Sequence, residues 1–105
     1  MNATEIRDLN WHDLQAQVTG LRETVYAALL LHGPCTTRQL AEASGISILT
    51  VRPRVTELCD LGFALCTGRE AKEGVYRAYT HAEAAALHQE REAVRRSAEQ
   101  IPLAL

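Results

Sequence analysis

Apolar residues recur at helical spacing through most of this chain and switch to strand-like runs only once, between residues 63 and 79. Ile6, Leu9, Trp11, Leu14 and Val18 predict an amphipathic helix within residues 1–19, interrupted near Asn10 and appended to the rest of the chain. Gly20 marks a junction. Beyond it, Leu21, Val25, Ala28 and Leu29 stand at i, i+4, i+7 and i+8, so one stripe of a helix faces a core until His32-Gly33-Pro34 stops it.

Thr36 and Gln39 have the spacing of a capping box, in which a hydroxyl accepts an orphan N–H and the amide side chain reaches back. A short helix is expected over Thr37–Ser44. Gly45 then supplies a tight turn, Ile46 plugs the space between two helices, and Ser47 caps the next. In that next helix Val51, Val55, Leu58 and Gly62 share one side, while Leu49, Pro53, Thr56 and Asp60 lie opposite. Pro53 removes a backbone donor, which predicts a first turn at Ser47–Leu49 with a bend or restart near Thr50.

The runs Phe63–Cys66 and Val75–Tyr79 are β-prone, and the polar stretch Thr67–Gly74 between them predicts a hairpin with a long tip. Thr80 and Glu83 repeat the capping-box spacing and open a last helix that ends before Pro102. Its Leu87, Val94 and Ile101 recur every seven residues, with Ala84 and Ala98 beside them. This narrow seam is a candidate for pairing with a second copy; the alternative is packing on the N-terminal helix of the same chain. Residues 81–105 are thus expected to be a helix and tail, a candidate dimerisation element.

At 105 residues the chain accommodates one domain, and its few aromatics leave a core of Leu, Val, Ile and Ala. The longest apolar stretch, Tyr26–Leu31, is far short of the ~20 residues that span a bilayer. No apolar leader is visible among Glu5, Arg7 and Asp8, and the three cysteines are odd in number and unpaired in spacing. A cytoplasmic protein with no membrane partner is expected. Cys35, Cys59 and Cys66 form no metal-binding pattern, and His12, His32, His81 and His88 accompany no nucleophile in a recognisable arrangement, so neither metal, cofactor nor enzymatic activity is expected.

The segments Thr37–Ser47 and Thr50–Leu58, the latter with its Val-Arg-Pro-Arg run, together with Leu61-Gly62-Phe63, resemble the winged helix-turn-helix superfamily of bacterial and phage DNA-binding regulators. The resemblance covers Leu21–Thr80. It implies a mainly α fold with a small β-hairpin wing over residues 20–80, flanked by N- and C-terminal helical extensions. It also implies a repressor-like transcriptional regulator whose helix around residues 47–61 lies in the major groove of double-stranded DNA, with two copies reading two half-sites. Carried onto this chain, the reading positions are Ser47, Leu49, Thr50, Arg52 and Pro53, with Arg54 and Thr56 nearby. The wing positions are Arg69, Lys72 and Arg77, and Arg38 is a phosphate contact.

Charge pulls the other way. Eleven basic residues against thirteen acidic ones leave a net charge of −2, where a nucleic-acid binder ordinarily shows a basic face. Arg52 and Arg54 are either phosphate or guanine contacts or a solvated flank paired with Glu57 or Asp60. Leu49 and Pro53 offer no side-chain hydrogen bonds to bases, and Glu70 and Glu73 sit beside the hairpin cations. The competing reading is a protein-binding winged helix, such as a phage-encoded, anti-CRISPR-like inhibitor of host nucleic-acid machinery, docking on a host or phage protein.

Overall fold

Local capping signals set most of the helix boundaries in this computed structural model, which describes residues 9–100. Asn10 opens helix α1 (Trp11–Ala16) by accepting the Asp13 N–H at 2.8 Å. It therefore starts a helix at the point where the sequence predicts an interruption. Helix α2 (Leu21–His32) turns Val25, Tyr26 and Leu29 inward. A two-residue strand β1 (Cys35–Thr36) leads into α3 (Thr37–Ser44), whose capping box is complete: the Gln39 N–H donates to Thr36 Oγ1, and Gln39 Oε1 accepts the Thr36 N–H. Gly45 ends α3 at φ +74°, a left-handed conformation that costs glycine little.

Helix α4 (Ile48–Leu61) is continuous, which corrects the bend expected near Thr50. The N–H groups of Thr50 and Val51 both reach the Ser47 carbonyl at 2.9 Å, so the first turn is closed before Pro53 arrives as the sixth residue. Pro53 removes the donor that the Leu49 carbonyl would otherwise receive. Both residues are exposed, so water can satisfy that carbonyl without a break in the helix.

Strands β2 (Ala64–Glu70) and β3 (Glu73–Ala78) form an antiparallel hairpin, and β1 joins the other edge of β3 to give the order β1-β3-β2. Pairing runs from Ala64 opposite Ala78 to Glu70 opposite Glu73, with a register shift between Cys66 and Gly68. The long tip expected over Thr67–Gly74 is instead strand on both sides of a two-residue turn, Ala71-Lys72, with φ of +49° and +70°. Positive φ at both central residues gives the backbone twist of a type I′ turn, which matches the twist of the strands it joins.

Phe63 anchors the core with no exposed surface, packed with the fully buried Val25, Leu29, Leu40, Val51, Val55 and Leu58. Trp11 of α1 stacks on Phe63 at 5.6 Å between ring centroids, and Tyr26 meets it edge-on at the same distance. The Tyr26 hydroxyl donates to the Tyr79 carbonyl at 2.6 Å, tying α2 to the end of the hairpin. Helix α5 (His81–Gln100) opens on the Thr80–Glu83 capping box and buries Ala84 in the same core. Farther along, Arg91 donates to the Asp60 carbonyl at 3.5 Å, a favourable place for a cation at the end of α4. His88 lies 5.9 Å from Trp11, so α5 also touches the N-terminal helix of its own chain.

The described chain is thus mainly helical, with five helices and a small three-stranded antiparallel sheet. No helix among the described residues is long and apolar enough to cross a membrane.

Candidate nucleic-acid interface

Rotation of 100° per residue separates the nominated side chains of α4 into two flanks. Val51, Val55 and Leu58 define its buried side. Leu49, Pro53 and Thr56 stand on the opposite, exposed side, and Leu49 is 81% exposed. Arg52 falls on the flank beside α3 and is exposed, with no ion pair or side-chain hydrogen bond among the described residues. Ser47 is the N-cap, accepting the Leu49 N–H at 3.3 Å, and the half-buried Thr50 lies in the first turn.

Arg54 occupies the other flank, toward α2. Its Nη2 donates to Glu57 Oε2 at 3.2 Å, and the same carboxylate receives Arg22 of α2 at 3.3 and 3.4 Å. Burial works to raise the Glu57 carboxyl, but the hydrogen bonds and charges of Arg22 and Arg54 outweigh it and hold it below the ordinary value. Among the two alternatives for Arg54, the pairing with Glu57 is what the structure contains. Sequence spacing marks the Arg54–Glu57 half of this clamp; Arg22 is 35 residues from Glu57, and nothing local signals it.

The start of α4 adjoins α3, and α3 in turn adjoins the hairpin. Arg38, Ala41, Glu42, Ile48 and Arg52 line a shallow concavity of about 430 Å³ between α3 and α4. Arg38 reaches from α3 to Glu73 at the start of β3, at 3.2 Å. Near that point the hairpin presents Arg69 and Lys72, both exposed and without an ion pair among the described residues. No family model, curated protein or solved structure matches this chain.

Arg52 on α4 and Arg69 and Lys72 on the hairpin thus form no ion pair among the described residues, while Arg38 is already engaged. Arg77, nominated with the hairpin cations, is engaged elsewhere: its guanidinium binds Glu83 at 3.0 and 3.2 Å and covers the Tyr79 ring at 5.3 Å. Hydrogen bonds from Arg77 and from the Thr80 N–H hold the Glu83 carboxyl down at about 2. Arg77 is thus part of the cap of α5.

On the candidate pairing seam, Ala84 is buried within its own chain and Leu87 is half-buried, against Gly62. Val94 and Ala98 are exposed and line a cleft of about 730 Å³ with Leu14, Cys59 and His88. Ile101 lies outside the described residues. Burial pushes the Cys59 thiol up to about 11, with Asp60 and Cys66 adding to the effect, and pushes the Cys35 thiol up as well. A thiol raised in this way is a poor nucleophile at neutral pH. No group of three or more His, Cys, Asp or Glu suited to a metal ion occurs among the described residues.

Proposed function

We propose that residues 20–80 form a winged helix-turn-helix and that the protein is a DNA-binding, repressor-like transcriptional regulator. One observation carries this reading: the N-terminal half of α4 is exposed beside α3, the Arg38–Glu73 pair joins α3 to the hairpin, and Arg52, Arg69 and Lys72 have no ion pair among the described residues. The element order helix, strand, helix, helix, strand, strand supports the fold assignment. So does the left-handed Gly45 between α3 and a Ser47-capped α4.

In this reading α4 enters the major groove by its N-terminus, where the helix dipole favours phosphate, and its acidic Asp60 end points away. Arg52 reaches a base edge or phosphate, and Arg69 and Lys72 hold the flanking backbone. We propose further that the exposed Val94 and Ala98 of α5 pair with a second copy, placing two reading helices on two half-sites. A cytoplasmic location belongs to the same proposal.

The test is a titration of duplex DNA from a random-sequence pool at low and moderate salt. With two phosphate-neutralising cations per chain, Arg69 and Lys72, or three if Arg52 also meets a phosphate, log K should fall against log salt with a slope of about −2 to −3 per chain. Absence of binding at low salt would overturn the proposal. A protein partner is the second reading, favoured by the engagement of Arg22 and Arg54 with Glu57, Arg38 with Glu73 and Arg77 with Glu83, which leaves the exposed apolar Leu49 conspicuous.

A further inference from the structure

The side chains at the tip of α4 are poor in hydrogen bonds and rich in methyl groups. Leu49, Arg52, Pro53 and Thr56 stand at i, i+3, i+4 and i+7, so they form one continuous exposed strip. Leu49 and Pro53 carry no polar side-chain atom. Thr56 directs its hydroxyl to the Arg52 carbonyl at 3.2 Å, and its methyl is what remains to meet a partner. The strip is therefore apolar along its length, with one guanidinium at its side.

Major-groove edges offer one apolar feature, the 5-methyl group of thymine, and guanine offers the acceptor pair that suits a guanidinium. We propose, resting on the DNA-binding reading above, that Leu49 and Pro53 select thymine by its methyl group, next to a guanine read by Arg52. Each half-site would then contain a G beside one or two A·T pairs with thymine oriented toward Leu49. Three features favour DNA over an apolar protein surface as the occupant. Leu49, Arg52 and Pro53 of the strip lie on the N-terminal half of its helix, Arg52 borders it without an ion pair among the described residues, and the Arg69–Lys72 hairpin lies beyond the adjoining α3.

Deoxyuridine tests this directly, because it keeps every hydrogen-bonding group of thymine and removes only the methyl. A duplex is selected from a random pool by the full-length protein, then remade with single deoxyuridine replacements. Loss of a buried methyl should weaken binding roughly fourfold at each contacted position, the equivalent of about 0.8 kcal/mol. Leu49→Ala should bind the thymine duplex more weakly and lose its response to deoxyuridine at the position Leu49 contacts, while Leu49→Met keeps it. The exposure of Leu49 makes all three proteins equally stable, which circular dichroism checks. Equal affinity for every deoxyuridine duplex would overturn the thymine assignment and leave DNA binding intact. Failure to enrich any duplex would overturn both and give the strip to a protein partner.

Discussion

Arg52 and Arg54 are two residues apart and chemically identical, yet Arg54 is paired with Glu57 and Arg52 has no ion pair among the described residues, so the DNA-binding proposal gives them different roles. Truncation of each to alanine separates the two. Arg54 shares Glu57 with Arg22, and its side chain and that of Glu57 are each 29% exposed. A hydrogen bond to a charged group contributes about 1.5–3 kcal/mol when buried. Solvent screening at this exposure reduces that to about 1 kcal/mol. Arg54→Ala should therefore lower Tm by about 4–8 °C, with a DNA Kd within about threefold of wild type when measured well below melting. Arg52 has no partner to lose, so Arg52→Ala should stay within about 0.5 kcal/mol in stability. Its DNA affinity should fall roughly tenfold to a hundredfold, the loss expected for a base-reading arginine.

Thermal melts by circular dichroism and fluorescence anisotropy with labelled duplex read the two effects separately. The pH dependence adds a control. Because the Glu57 carboxyl sits lower in the folded chain than in the unfolded one, the clamp contributes fully above about pH 4.5. Its contribution fades as pH falls through the lower folded value. The stability gap between wild type and Arg54→Ala should close on acidification. A destabilised Arg52→Ala, or an Arg54→Ala that loses DNA binding at unchanged stability, would refute the division of roles.

The C-terminal helix carries two further expectations. Glu83→Gln should lower stability at neutral pH and flatten its acid dependence: the wild-type Arg77–Glu83 contribution is present above about pH 4.5 and is lost as pH falls toward about 2. The stability gap between the two proteins should thus be largest above about pH 4.5, close between those values and vanish at the bottom; equal stability throughout would contradict the cap. Val94→Asp should convert a dimer to a monomer in sedimentation equilibrium without loss of helicity, since Val94 is 65% exposed. A wild-type protein that sediments as a monomer at all concentrations would remove the pairing proposal.

Short-range signals are the legible ones. The Thr36–Gln39 and Thr80–Glu83 boxes, the Ser47 cap and the Gly45 turn each depend on residues within four positions, so spacing alone locates them. Strand β1 is invisible in the sequence because two residues carry no periodicity; Cys35 and Thr36 become a strand only because β3 lies alongside. The hairpin arms are longer than their composition suggests for a related reason. Gly68, Arg69 and Glu70 look like loop residues, but exposed strand positions need only backbone partners, and β3 supplies them. At the candidate interface, sequence nominates the α4 positions but cannot sort them. Arg54 and Arg77 look like DNA contacts until Glu57 with Arg22, and Glu83 with Tyr79, are found around them.

Trp11 is the sole tryptophan of the chain, and it sits between Phe63 at the centre of the core and His88 on α5. The first and last described helices meet at this indole, with Leu14 beside it, a clasp between two helices without a covalent bond. A clasp of this kind makes the two ends thermodynamically one unit: release of α1 withdraws a support of α5, and the reverse. Amide exchange in α1 and α5 should therefore share one opening free energy, and the fluorescence of Trp11 reports that event for both.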